Sequence, residues 1–400
     1  MINGNYDVFD KLEDINYIPV IGGDLIGNAK KEKYLNGDAI TFINKNSIFK
    51  YNKFLINPYH NANDFPIIVE NGNLLDDSII YADSGGLQEF RYGIQKMSPE
   101  DILKWQEKYC DIGFALDKLP FIMNKDIRVD WTFDIVNFKS YAIETKNRIK
   151  RAIDVRTEYK SFKYYAIIQG TNYDEYKQWK DIINQPGIDG WCCKSPSNSP
   201  MSLAETAVFA LENLDKPIHF LGIGNLTKSI ILIYLKKYYK NKISFDSATA
   251  NIGMTSRTYN LPYAFNYRDF YISEGIESDN LVGKSMKTFD RFNFCSCDAC
   301  KYLDKLEKTQ ENDKYIGVLF MLHNLNMMLN SINYLKQIYD DKEKIVAFVK
   351  NVFKERTGKV ILNALQFIDD SYTMGYVEAK KKWNDEFPKF KKTTKQKTLF

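Results

Sequence analysis

Long apolar runs are missing from this sequence. The longest, such as Ile230 to Ile233, fall far short of the roughly 20 residues that span a bilayer, so no membrane partner is expected. Cysteine is scarce as well, and six among 400 residues are too few for a disulfide scaffold. Three of the six crowd between positions 295 and 300, which suits a metal better than bridges. Neither sign of charge dominates: 55 basic against 51 acidic side chains leave a net +4 that names no partner by itself. The N-terminal stretch MINGNYDVFDKLEDINY has neither a basic n-region nor an apolar h-region, so no signal peptide is expected there. Apolar residues, at 44%, are plentiful enough to exclude a mostly disordered chain. The length suits one large domain with appendages or two domains. A soluble, cytoplasmic, globular protein is the expectation.

Six short segments rich in β-branched and aromatic residues end in small or polar ones: SIIYADSGG (78–86), IGFALDKLP (112–120), KYYAIIQG (163–170), IDGWCCKS (188–195), PIHFLGIG (217–224) and KISFDSAT (242–249). Helical stretches lie between them. PEDILKWQEKYC starts after Ser98, a good N-cap, with Pro99 at the first helical position. AETAVFALENL and TKSIILIYLKKYY carry apolar residues at helical spacing. Strands alternating with helices, each strand ending in polar residues, predict a (β/α)8 TIM barrel whose active site sits at the strand ends. IPVIGGDLI and AITFI are the candidates for the first two strands. Beyond about residue 275 the texture changes to a cysteine cluster and then a helical region from about Lys314 to Val352. The expected division is a barrel over 1–285, a zinc-binding subdomain with packing helices over 286–360, and a C-terminal helical segment with a basic tail over 361–400. That tail, KKKWNDEFPKFKKTTKQKTLF, interleaves lysines with Trp383, Phe387 and Phe390. It reads equally as a phosphate-contacting stretch and as a solvated end.

FCSCDAC followed by LHNL is the most specific signal. Cys295, Cys297, Cys300 and His323 supply three thiolates and an imidazole, which fill a tetrahedral zinc shell and leave no open position, the mark of a structural site. A second signal is DSGGLQ, Asp83 to Gln88, where a strand runs into a Gly-Gly turn. It reads either as a tight turn with a capping aspartate or as a place where backbone approaches a flat ligand. A third is Asp246 in ISFDSATA, a strand-end aspartate that suits a nucleophile, a metal ligand or a cap. Two carboxylates across a barrel mouth are the arrangement that glycosidic chemistry uses.

DSGGLQ, IIQG, HFLGIG, FDS and C-x-C-x-x-C…LHNL, in that order over roughly Ile79 to Lys354, resemble the tRNA-guanine transglycosylase superfamily. The resemblance implies a (β/α)8 barrel with a zinc subdomain that swaps a guanine in a polynucleotide for a free 7-deazaguanine. It implies Asp246 as nucleophile and Asp83 as general acid/base. Asp117, Gln88 and Gln169 would read the guanine edge, and Gly170 and Gly222 would frame the pocket. Structural zinc and, by analogy, a homodimer are further expectations.

The sequence also departs from that pattern. CCKSPSNS stands where a GGLAVGE-like loop is usual, with Lys194 and Ser195 in place of glycine and leucine. Leu87 and Leu221 occupy positions that elsewhere sandwich the base with an aromatic ring and a methionine. FDSATANIGMTSRTYN lacks the PTRSGR-like segment that usually follows the nucleophile. The FDSATA form looks more like the DNA-modifying branch of phages and bacteria, so DNA is the expected nucleic-acid partner and tRNA the alternative. A catalytically silent binding protein would be expected to lose one carboxylate, and both are present. Arg257, Lys284, Lys287 and Arg291 are candidate polynucleotide contacts.

Overall fold

Every strand of the main sheet is short and buried, as expected of parallel strands covered on both faces. The computed structural model describes residues 7–22, 25–26, 34–35, 38–39, 41–123, 131–157, 161–247, 265–266, 271–272, 297–305 and 313–388. Eight parallel strands form the sheet: β1 (Ile15–Pro19), β2 (Lys53–Ile56), β3 (Ile79–Ala82), β4 (Ile112–Phe114), β5 (Lys163–Ile168), β6 (Gly190–Lys194), β7 (Ile218–Leu221) and β8 (Ile243–Ser247). Their order, β1-β8-β7-β6-β5-β4-β3-β2, is that of a ring. A parallel bridge between Val20 and Leu55 joins β1 to β2, and the Ile21 N–H donates to the Leu55 carbonyl at 2.8 Å. The expected (β/α)8 barrel is therefore the observed fold, with helices following the sheet at its C-terminal side in sequence.

Strands β3 to β8 fall within the segments expected from sequence. The first two do not match. β1 is INYIP, overlapping IPVIGGDLI by two residues, and β2 is KFLI rather than AITFI. Phe42 and Ile43 of AITFI are buried but lie in bends, and Phe42 packs edge-on against Phe54 of β2 at 6.4 Å. Their hydrophobicity thus serves burial beside a strand rather than strand pairing.

Side chains alternate across the barrel wall with period two. Ile18, Leu55, Tyr81, Phe114, Tyr165, Ile167 and Cys192 form one buried cluster, separate from the larger one between strands and helices. Val8 and Leu12, in and just after the short Val8–Lys11 helix, belong to it, and Phe9 meets Tyr165 at 6.3 Å. The segment from Asp7 to Leu12 therefore plugs the bottom of the barrel, and the Lys163–Asp7 pair of 2.9 Å ties it to the start of β5.

The outer helices start where the sequence places their caps. Ser98 accepts from the Asp101 N–H ahead of Pro99–Tyr109. Asn172 and Asn225 cap Tyr173–Ile183 and Leu226–Leu235 in the same way. Gln106, on Pro99–Tyr109, donates from Nε2 to the carbonyls of Ala82, Asp83 and Phe114 at 3.4, 3.2 and 3.0 Å. It fastens the ends of β3 and β4 from outside.

The helical region expected from Lys314 to Val352 is two helices, Asp313–Ile338 and Lys342–Val352, divided where Asp341 caps the second. Asp313–Ile338 packs on Leu226–Leu235 and reaches β1, while Glu355–Met374 packs on Pro200–Asn213 and Leu226–Leu235. The described part of the basic tail is packed onto neighbouring helices rather than frayed. Lys382 Nζ and Trp383 Nε1 each donate to Asp370 Oδ2 at 2.7 Å, Lys380 pairs with Glu205 at 2.9 Å, and Tyr376 stacks on Tyr173 at 4.0 Å. Phe390 and the lysines after Pro388 lie outside the described residues, as do Arg257, Lys284, Lys287 and Arg291. Among the described residues, no helix is long and apolar enough to cross a membrane.

Candidate active site at the strand ends

The inward series on each strand continues past its last buried position into the mouth of the barrel. Counting by twos leads from Ile18 to Val20, Leu55 to Asn57, Tyr81 to Asp83, Ile167 to Gln169, Cys192 to Lys194, His219 to Leu221 and Ser244 to Asp246. Val20, Asn57, Asp83, Gln169, Lys194, Leu221 and Asp246 all line one cavity of about 410 Å³, together with Gln88, Asp117, Leu87 and Gly222. Chain segments separated by more than 160 residues thus meet because their strands share one register.

Asp83 accepts from Asn57 Nδ2 on Oδ2 at 2.8 Å and from the Ser84 N–H on Oδ1 at 2.7 Å. Burial, reinforced by the negative fields of Asp246 and Asp117, pushes its pKa up to about 6 despite the Ser84 N–H. Asp246 is held differently. Its Oδ1 accepts from the Gly222 N–H at 2.8 Å and meets His219 Nε2 at 3.1 Å. His219 Nδ1 lies 2.9 Å from Ser244 Oγ. Ser244 Oγ also lies 3.4 Å from the Ile218 carbonyl, so the serine ties the imidazole to the strand before it. Among the described residues both contacts to Asp246 use Oδ1. Gly222 has φ +69°, the left-handed conformation that turns its N–H onto the carboxylate.

Asp117 Oδ2 accepts from Gln169 Nε2 at 2.6 Å, and burial raises the pKa of this carboxyl as well. The paired glycines of DSGGLQ have distinct tasks. Gly85 is left-handed at φ +80°, whereas a Cβ on Gly86 would sit 2.6 Å from Asp117 Oδ1. The close approach expected of this turn is made by the Asp117 carboxyl. Gln88 Oε1 is buried with no hydrogen-bond partner among the described residues. Arg148 bonds both carboxylate oxygens of Glu89 at 2.8 and 2.9 Å, fixing the Gly86–Tyr92 helix that follows the turn.

The cavity brings together Asp83, Gln88, Asp117, Gln169, Gly222 and Asp246. Gly170 is placed otherwise: a Cβ there would meet Tyr176 at 2.9 Å, so its smallness admits the helix after β5. Leu87 and Leu221 both line the cavity. The sequence reading missed His219 and Asn57. His219 precedes Leu221 by two on an inward-facing strand, so alternation alone could have found it. Asn57 stands before Pro58 as a helix cap, accepting from the Tyr59 N–H, and its side-chain amide is the donor to Asp83.

Away from the mouth, Cys297, Cys300 and His323 are buried with their ligand atoms within 4.8 Å of one another. His323 Nδ1 lies 3.5 Å from Cys297 Sγ and 3.2 Å from Cys300 Sγ. Three converging soft donors with no disulfide between them can hold a metal ion. Cys295 lies outside the described residues.

No protein-family model matches the chain. It is similar to the tRNA-guanine(15) transglycosylase of Methanococcus aeolicus, at 26% identity over 288 residues, which cover 66% of this chain and 38% of that protein. The match spans less than two fifths of the length of that relative. Among solved structures it is similar to N-acetylneuraminate lyase from Mycoplasma synoviae, with a TM-score of 0.35 and 10% identity, covering 91% of this chain and 99% of that one.

Replacing His219 with phenylalanine keeps a ring against Tyr81 and Phe114, its present neighbours at 5.5 and 4.7 Å. It removes one of the two donors to a buried carboxylate. His219→Phe is expected to fold but to lose about 1.5–3 kcal/mol of stability in urea unfolding. An unchanged midpoint would mean that Asp246 does not depend on the imidazole.

Proposed function

We propose that this protein is a guanine transglycosylase that exchanges a guanine in DNA for a free 7-deazaguanine through a covalent aspartyl–sugar intermediate. The observation that carries the reading is the contrast between two carboxyls on one cavity. Asp83 has its pKa raised to about 6, and Asp246 is oriented through one oxygen by His219 and Gly222. An acid and a nucleophile in one pocket are what base exchange needs.

Asp246 Oδ2 attacks the anomeric carbon, and the bond from that carbon to N9 of guanine breaks. Protonated Asp83 supplies the proton that the departing base requires. Asp246 becomes a neutral ester as Asp83 becomes a carboxylate, so this pair carries one negative charge before and after the step. The incoming base then gives its N9 proton to Asp83 and attacks the same carbon, and Asp246 leaves as a carboxylate. The target nucleotide must leave its stack to reach the barrel mouth. Within the cavity Asp117 accepts from N1–H and N2–H of the base. Gln169, already donating one N–H to Asp117, has a second for O6. The unpartnered Gln88 Oε1 is a further acceptor for the exocyclic amine. Leu87 and Leu221 supply the apolar walls.

DNA is favoured over tRNA because FDSATANIGMTSRTYN follows the nucleophile strand without an arginine-rich segment. The tRNA-guanine(15) transglycosylase similarity supports the exchange chemistry and keeps tRNA as the second reading. Cys297, Cys300 and His323, with Cys295 as fourth ligand, would hold a structural zinc ion, which would brace the loop against the Asp313–Ile338 helix.

Three outcomes test this reading. Asp246→Ala abolishes the denaturation-resistant protein–polynucleotide adduct; an adduct that persists removes Asp246 as nucleophile. In the wild type, Asp83 is the proton donor only while protonated. Above about pH 6 the rate of guanine release is therefore expected to fall about tenfold per pH unit, and Asp83→Asn erases that limb along with most of the rate. Elemental analysis finds one zinc per chain, lost in Cys300→Ser, and a folded wild type without zinc would refute the four-ligand site.

A further inference from the structure

Among the described residues Lys194 is the only lysine or arginine lining the cavity, whose other side chains are carboxyls, amides, aliphatic groups, Ser84 and His60. It ends β6, with its side chain on the inward series, and lines the 410 Å³ cavity. The ring face of Trp131 lies 6.0 Å from its Nζ. Among the described residues Nζ has no hydrogen-bond or ion-pair partner.

Lys194 offsets part of the charge of the nearby carboxyls through space but bonds none of them, since each has its own donors. Asp83 takes Asn57 and the Ser84 N–H, Asp117 takes Gln169, and Asp246 takes His219 and the Gly222 N–H. The amine therefore points into the cavity with its donors unspent. Burial lowers its pKa while the Asp117 and Asp83 charges hold it up. Either form can donate, but only the ammonium also repels a cation, because the neutral amine has a lone pair that accepts.

Strand order fixes which edge of a base it would face. Around the mouth the lining residues run Asp117 after β4, Gln169 after β5, Lys194 on β6, Leu221 on β7 and Asp246 on β8, each strand bonded to the next. Cys193 pairs with Ile168, which sets Lys194 beside Gln169, and Lys194 itself pairs with Leu221. The perimeter of a guanine-like base runs N2, N1, O6, C7, C8, N9. With N1 and N2 at Asp117, O6 at Gln169 and N9 toward Asp246, the position between Gln169 and Leu221 faces C7.

We propose that Lys194 selects the incoming base by its C7 substituent, accepting groups that present a hydrogen-bond acceptor, such as a nitrile or carboxamide, and rejecting a cationic aminomethyl group. This rests on the transglycosylase reading and deepens it. As the ammonium that the Asp117 and Asp83 charges favour, Lys194 bonds an acceptor at C7 and leaves a cationic substituent both unpaired and repelled, so discrimination comes from attraction and rejection together.

The test offers the wild type DNA and tRNA separately with labelled guanine, 7-cyano-7-deazaguanine, 7-carboxamido-7-deazaguanine and 7-aminomethyl-7-deazaguanine, and compares kcat/KM. The acceptor-bearing bases are expected to exceed the aminomethyl base by about tenfold or more. Lys194→Met should bring that ratio toward one, and Lys194→Glu should reverse it. A wild type that uses the aminomethyl base as well as the others overturns the assignment, even if neither variant folds. Folded variants with the wild-type ratio overturn it too. Labelled guanine carries no C7 substituent: its incorporation with no C7 preference refutes the role of Lys194 alone. Failure to incorporate any base into either polynucleotide refutes the transglycosylase reading beneath it.

Discussion

The site depends on a single geometric constraint: eight parallel strands closed into a ring whose side chains alternate inward and outward. Closure by the Val20–Leu55 bridge brings β1 and β2 together, so residues far apart in the chain reach one level. Below that level the interior is solid. Tyr81, Phe114, Tyr165 and His219 pack against one another with rings 4.7 to 6.2 Å apart, giving the cavity an aromatic floor. A polar side chain one step above that floor has low-dielectric matter beneath it and the mouth above it. This is why Asp83 resists ionisation without any unusual bond of its own.

On that scaffold, small differences in hydrogen bonding separate two chemically identical side chains. Asp246 draws two donors to the same oxygen, one of them a backbone N–H aimed by a left-handed glycine. Asp83 spreads its two over both oxygens. The turn after β3 is set from several directions, by Gln106 on its carbonyls, by Gly86 yielding space to Asp117, and by Glu89 clamped to Arg148. Preorganisation of this kind is carried by residues that never need to touch a ligand.

Six of the eight strands could be read from sequence because each pairs a buried apolar run with a polar end, and that polar end is the site itself. INYIP and KFLI resisted the same reading. INYIP carries an asparagine inside, and KFLI is four residues long beside the more hydrophobic-looking AITFI. Asp83, Asp117, Gln169 and Asp246 were visible because they sit in motifs. His219 was not, although it occupies the same inward series, because a histidine within a strand has a packing explanation as well as a catalytic one. The tail's lysines were ambiguous in sequence because their partners, Glu205 and Asp370, lie 175 and 12 residues away. No local pattern announces such pairings.

The chain has only three histidines, and the fold sends each to a different place. His60 stands at the cavity rim, His219 beneath Asp246 and His323 beside Cys297 and Cys300. Their imidazole resonances form a sparse, self-assigning set of magnetic probes. One reports on the mouth of the cavity, one on the surroundings of Asp246, and one on the cysteine pair. The cavity mouth, the Asp246 carboxyl and the Cys/His cluster can thus be watched separately in the unmodified protein, without introducing a label at any position.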